Sequence, residues 1–536
     1  MQRLHLTLPV TILFATGLLA QDQRPVIKAG ARLVQFSVIV RDKNGPIADL
    51  KKKDFTILDH GRAREIAVFH MDSQHLNNEA KPAALPANVF TNRVNDEPNS
   101  TILLFDATNT RIPDQSYARL QIIKFIESLR PSDKLGIYYL GKDLRVVHDF
   151  SSDTASLLEA VKAMKVRVSE ADDLAVQASV DNQLSAAFRG SFLVAFNAML
   201  ENLSGPRVES EQYNKVGKTA EAFIAIARSF ARVPGRKNLV WVSSGYPIAL
   251  GRNFDRKMQF DAQVDSASRT LIDANIAVYP VDARGLMVNP SFGAATSSLP
   301  SEMARTSPVV PPVPVGFAEQ QTMTLMAERT GGRAFYNANE IHTSIRRALD
   351  DSELTYTVGF YVNQNEMDSK FHETKVTVAR KGVELRARKG YFAYADTTQS
   401  ETSRDIVMRQ ALFANLDATA LPVTVRLVRE GKANAINVAS LIDPKRLLFA
   451  MKDGQLADAI DFVIAQQGAD GRNLKVDAEV LNLAFTPERY RQVLAQDIQF
   501  GRSVELQPET RMIRVMFYDR SSGLIGSARG SVNIAQ

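Results

Sequence analysis

Cysteine is absent from all 536 residues. Disulfides, thiolate metal sites, thiol nucleophiles and a lipid-anchored N-terminal cysteine are therefore excluded. Histidine is scarce: the seven are scattered, and no pair has metal-ligand spacing, so the sequence does not indicate zinc. Strong charge is also missing. The net charge of +6 is small for the length, and no basic cluster stands out beyond Lys51-Lys52-Lys53, so nucleic acid is not an expected partner. Beyond the first twenty residues no stretch is apolar enough to cross a bilayer, and no membrane span is expected in the mature chain.

What is present reads as an exported globular protein. Hydrophobic residues make up 45% and charged residues 23%, a composition with no signature of disorder. The length fits about three or four domains. Arg3, the apolar run Leu6 to Leu19 and the exit Leu18-Leu19-Ala20 before Gln21 have the order of a secretory signal, assigned to 1–20. Its removal with Arg3 leaves a charge of +5 on a chain expected in the periplasm or outside the cell.

Residues 31–71 alternate as strands do, with turns at Asp42 to Gly45 and at Asp59-His60-Gly61-Arg62; they predict a small N-terminal β-sandwich unit of Ig-like type. Residues 72–99 lack periodicity and read as a linker. From 100 to 395, buried strands alternate with helices. The strands are Ile102 to Phe105, Leu135 to Leu140, Leu144 to Phe150, Asn238 to Val242, Ile276 to Val281 and a short one at Arg333 to Tyr336. Helices are expected from Pro113, at Ser156 to Met164, Leu184 to Leu203, Ala220 to Val233, Arg256 to Ala274, Phe317 to Thr330 and Ile341 to Asp351. Such alternation predicts an α/β fold with a doubly wound, mostly parallel, Rossmann-like sheet. A Pro/Ser/Ala-rich stretch, 286–316, reads as a mobile surface loop, and three antiparallel strands after Leu354 close this domain. Residues 396–536 carry a short helix, strands at sandwich spacing and a lone helix at Pro487 to Ala495, which predicts a C-terminal β-sandwich of immunoglobulin-like type.

The candidate site is the loop after the first buried strand. Asp106, Thr108 and Thr110 stand at alternate positions, D-x-T-x-T, where open α/β sheets place ligands. A carboxylate and two hydroxyls can converge on a hard cation such as Mg²⁺. The competing local reading has Asp106 capping the next turn while the threonines bond nearby backbone. Other strings are set aside. Val216-Gly217-Lys218-Thr219 ends like a phosphate-binding loop, but Gln212 stands where its leading glycine is required. Trp241-Val242-Ser243-Ser244-Gly245 lacks the first glycine of a nucleophile elbow, and no histidine is placed as base; His342 and His372 read as helix-surface and strand residues.

Several strings together resemble a von Willebrand factor type A (vWA) domain. They are the strand with D-A-T-N-T at Asp106 to Thr110, L-G-I-Y-Y-L, and V-P-G-R-K-N-L-V-W-V-S-S-G at Val233 to Gly245. Ile276 to Gly285, Thr330 to Asn337, Phe371-His372-Glu373, Arg386 to Tyr391 and the N-terminal V-I-V-R-D-K-N-G and K-D-F-T-I-L-D-H-G extend the resemblance to the VWFA-related family described from Acidobacteria, over roughly residues 31 to 395. The resemblance implies a metal-ion-dependent adhesion site, in which a divalent ion bridges to a carboxylate of a protein partner. Carried over, Asp106 is the acid, Thr108 and Thr110 replace serines, and Thr219 stands for a threonine from a later loop. The usual aspartate after the fourth strand is missing; Ser243 and Ser244 occupy its place, and Asp282 on the next strand is more simply a turn residue. The resemblance thus implies Mg²⁺ or Mn²⁺ at a degenerate metal site (Asp106, Thr108, Thr110, Thr219) and a partner surface at Asp106, Ser243 and Ser244. The expected function is non-catalytic binding or adhesion to a protein ligand. The alternatives are a serine hydrolase using Ser243 or Ser244, and a metal-free structural module of the envelope.

Overall fold

The computed structural model describes residues 31–73, 85–86, 88–92, 100–164, 215–233, 235–245, 254–285, 315–338, 340–351, 353–394, 401–429, 434–469 and 471–532. The chain is a mixed α/β protein with several sheets, one of which combines parallel and antiparallel strands. That sheet runs in the order Ile276–Asp282, Lys237–Ser243, Thr101–Asp106, Leu135–Leu140, Leu144–Ser151. The first four strands are parallel and the last is antiparallel. The four parallel strands are buried along their whole length, as their continuous apolar runs require when helices cover both faces.

Strand alternation divides these residues between two cores. Ile102, Leu104, Leu239 and Trp241 face a helix at 215–229 and the helices Phe254–Asp273 and Val315–Thr330. Leu103, Phe105, Val240 and Val242 face the helices Ile112–Glu127, Thr154–Ala163 and Ile341–Asp350. Strand order reverses between Thr101–Asp106 and Lys237–Ser243, so the topological switch point lies at the carboxyl ends of these two neighbours.

Two expectations about this sheet change. Leu144–Ser151 is not a third buried strand but an edge, antiparallel and half exposed. The strand expected at Arg333 to Tyr336 reduces to one parallel bridge, Val281 to Phe335. The leader 1–20, the helix at 184–203 and residues 286–314 of the expected loop lie outside the described residues; 315–316 already belong to a helix.

The N-terminal strands do not pair only among themselves. Ala31–Asp42 runs antiparallel to Leu354–Asn363, and Val68–Ser73 flanks the same strand. Phe55–Asp59 pairs with Phe371–Val378, which also pairs with Gly390–Phe392. One core joins both segments, with Phe36, Val38, Phe55 and Ile57 packed among Tyr356, Val358 and Phe360. The strands after Leu354 therefore complete the N-terminal unit, and the central sheet is inserted between its two halves. A few short strands cannot bury a sufficient apolar face alone, whereas the two segments together can.

The C-terminal region forms two further sheets around Val425, Val438, Phe462, Val515 and Phe517. Val89–Thr91, inside the expected linker, pairs with Val423–Arg429 and so extends this unit. The helix Glu401–Phe413 is held by Arg514, whose Nη1 donates to the carbonyls of Ala411 and Leu412 at 2.9 and 2.8 Å.

Candidate functional site

Asp106 ends the first parallel strand on the same face as Trp241 and Ser243, because 102, 104 and 106 alternate together and the neighbouring strand aligns Trp241 with Leu104. The carboxylate is fully buried and accepts four hydrogen bonds. Oδ1 takes the Asn109 main-chain N–H at 3.1 Å. Oδ2 takes Asn109 Nδ2 at 2.8 Å, Trp241 Nε1 at 3.1 Å and Ser243 Oγ at 3.2 Å. Burial pushes the carboxyl up from its ordinary range, while the donors from Asn109, Trp241 and Ser243 pull against that shift.

The loop around it is fixed by its own polar groups. Thr110 Oγ1 donates to the Asp106 carbonyl at 2.5 Å and accepts from the Ser244 N–H at 3.2 Å. Thr108 turns the other way and donates to the Gly141 carbonyl at 2.8 Å. Gln115, buried on the following helix, closes the loop from below through the carbonyls of Ala107 and Thr110. Of the two readings of D-x-T-x-T, the hydrogen bonds follow the local one: an acid capping its turn, and threonines engaged with backbone.

Thr219 does reach the site, from a residue 110 positions away. Its hydroxyl accepts from Asn109 Nδ2 at 2.8 Å and donates to the Lys215 carbonyl at 3.1 Å. Residues 216–219 are helical, so no phosphate-cradling loop forms there. Ser243 Oγ also contacts the Gly245 carbonyl at 3.0 Å, and Ser244 Oγ donates to Asp114 at 3.2 Å. Among the described residues no histidine is a hydrogen-bond partner of either serine. Asp282 is a turn residue: it accepts the Arg284 N–H at 3.0 Å and pairs with that guanidinium at 2.8 Å.

These residues do not fit a resident Mg²⁺ or Mn²⁺. The position between Asp106 Oδ2 and Thr219 Oγ1, where a cation would join acid to hydroxyl, is taken by the amide nitrogen of Asn109, 2.8 Å from each. Thr110 Oγ1 is engaged from both sides, by the Asp106 carbonyl and the Ser244 N–H, and Thr108 turns away to the Gly141 carbonyl. A hard cation wants six oxygens and a strong negative charge, whereas here one carboxylate is already surrounded by donors. An ion could enter only by displacing the Asn109 side chain. Sequence reasoning missed Asn109, Trp241 and Gln115; the available signal was an amide between the two threonines and an indole at the end of the adjacent strand.

A second constellation lies in the N-terminal unit. Asp59, His60 and His372 present ligand atoms within 4.8 Å of one another. Spacing could not show it, because His60 and His372 meet only through the pairing of Phe55–Asp59 with Phe371–Val378.

No family model matches the chain, and no curated protein matches it. Solved structures do. An aerotolerance-related membrane protein from Bacteroides fragilis is 13% identical, with 47% of this chain and 98% of that one covered and a TM-score of 0.26. A von Willebrand factor type A protein from Catenulispora acidiphila is 9% identical over 94% of this chain and 74% of its own, with a TM-score of 0.24. The pilus adhesin SpaC from Lactobacillus rhamnosus GG is 9% identical over 92% and 58%, with a TM-score of 0.25. At these TM-scores the likenesses carry no argument, and the site is read from its own geometry.

Proposed function

We propose that the chain is an exported, non-catalytic binding protein whose vWA-type sheet meets a protein partner through the loops at the carboxyl ends of its strands. The observation behind this reading is the closure of Asp106 by Asn109, Trp241 and Ser243. A carboxylate so engaged is neither a general base nor a ligand waiting for an ion, and among the described residues neither serine is hydrogen-bonded to a histidine. The closure instead fixes one conformation of the loop, whose outward residues are Thr108, Asn109 and, beyond them, Arg111 and Pro113. Asp106, Ser243 and Ser244 then support the surface from beneath. Contact with the partner falls on the loop's exposed residues, and it needs no divalent ion. The Mg²⁺- or Mn²⁺-bridged version implied by the family resemblance requires Asn109 to leave.

Among the described residues no helix is long and apolar enough to cross a membrane. Export rests on the leader-like segment 1–20.

A photo-reactive amino acid at Arg111, in the chain expressed in its native envelope, tests the reading. A discrete protein adduct is expected from position 111 and none from exposed Ser132 at the opposite end of the sheet, with the yield unchanged by EDTA. An adduct lost on chelation contradicts the metal-free contact. Labelling by a serine-reactive probe, blocked by Ser243→Ala, contradicts the non-catalytic one.

A further inference from the structure

We infer that Asp59, His60 and His372 form a binding site for a divalent transition metal of the zinc class, separate from the central sheet. Asp59 and Arg62 close a two-residue hairpin turn whose central residues, His60 and Gly61, both have positive φ, 47° and 79°. That geometry suits a type I′ turn, in which asparagine or glycine is the usual first residue. Histidine there brings its ring against that of His372, with centroids 4.6 Å apart and planes at 70°.

The polar bonds leave a gap at the centre of the group. Asp59 is buried at 2% exposure. Its Oδ2 receives Arg64 Nε and Nη2 at 3.0 and 2.7 Å and the Tyr391 hydroxyl at 3.2 Å. Its Oδ1 has no hydrogen-bond partner and lies 4.0 Å from His372 Nδ1. On the far side of that imidazole, Nε2 is 2.9 Å from Asp368 Oδ1. A proton on Nε2 serves Asp368 and leaves Nδ1 as a lone pair. The Tyr391 hydroxyl, 3.1 Å from Nδ1, has one proton for either Nδ1 or Asp59. A buried carboxylate oxygen and an imidazole lone pair therefore face each other with too few protons between them, which is the arrangement a cation resolves.

The contact between His372 Nε2 and Asp368 has the form metal sites use: a ligating histidine whose other nitrogen donates to a carboxylate. Two imidazoles and one carboxylate select zinc, nickel, cobalt or copper over Mg²⁺ or Ca²⁺. Tetrahedral zinc sets ligand atoms about 3.3 Å apart, so the group must contract by roughly an ångström, and exposed His60 is free to turn inward.

The test is calorimetric titration of the full chain, stripped with chelator, with Zn²⁺ alone. One saturable site is expected at neutral pH. His60→Ala, which alters an exposed side chain, and Asp368→Asn should each weaken it by about tenfold or more. Asp106→Ala should leave it unchanged, which separates this site from the central sheet. Co²⁺ in place of Zn²⁺ should give visible absorption of a low-coordinate ion, lost in His372→Ala. Absence of a saturable site, or affinity unmoved by both His60→Ala and Asp368→Asn, overturns the inference.

Discussion

Asp106→Ala separates a carboxylate held by protein donors from one waiting for a metal. If Asp106 awaits an ion, the metal-free protein carries a buried charge without its partner, and removing it in EDTA should leave stability unchanged or raise it. The hydrogen bonds argue for the opposite sign. Ser243 Oγ keeps the Gly245 carbonyl and Asn109 Nδ2 keeps Thr219, so the loss falls on the donations from Trp241 Nε1 and the Asn109 N–H. Bonds to a charged acceptor contribute about 1.5–3 kcal/mol each. Relief of the desolvation that raises the Asp106 pKa offsets part of the loss, which leaves a destabilisation of about 3 kcal/mol. The sequence contains one tryptophan, and it touches this carboxylate, so its fluorescence reports the central sheet alone. With a urea slope of about 2–3 kcal/mol/M, the Trp241 transition should move down by about 1–1.5 M in EDTA. A transition that stays in place or moves up would refute the closed-site reasoning.

Two other outcomes follow from buried groups elsewhere. Asp458 is pushed up to about 6 by burial, with Asp519 beside it. A carboxyl raised in the folded state binds a proton the unfolded chain does not, so the C-terminal unit should melt at higher temperature at pH 5 than at pH 7. Asp458→Asn should remove most of that difference and stabilise at pH 7 by about 1 kcal/mol; a melting temperature that falls from pH 7 to pH 5 contradicts the assignment. Gly332→Ala should destabilise the central sheet by at least about 3 kcal/mol. A Cβ there would lie 1.9 Å from the Val278 carbonyl oxygen, a backbone atom that cannot step aside, and a variant with wild-type Trp241 unfolding would show that the packing is looser than described.

The central sheet was legible because its signal is local. Short apolar runs such as Ile102 to Phe105 and Leu135–Leu140 declare burial on both faces, and the helices between them force parallel crossovers. What alternation cannot declare is a partner. Phe36 and Val38 show which face of Ala31–Asp42 is buried, yet nothing in their spacing says that Val358 and Tyr356, some 320 residues on, lie opposite. Val89–Thr91 is too short to announce a strand inside a polar stretch. The same limit hid Asp59, His60 and His372.

At the candidate site the residue types were visible and their hydrogen bonds were not. D-x-T-x-T fits an ion and a self-capped turn equally well, and the difference lies in Asn109, whose amide reaches Asp106 and Thr219 together. Some of the strings behind the family resemblance prove to hold the fold. Arg236 is buried and donates to the Gly331 carbonyl at 2.6 Å and the Tyr279 hydroxyl at 3.0 Å, which ties V-P-G-R-K to T-G-G and to the strand at Ile276–Asp282.

The most direct measurement of the closed site is the electron paramagnetic resonance of free Mn²⁺ during titration of the wild-type chain, alongside Asp106→Ala. Closure by Asn109 predicts the same free Mn²⁺ in both proteins at every concentration. Saturable binding in the wild type that disappears in Asp106→Ala would contradict it.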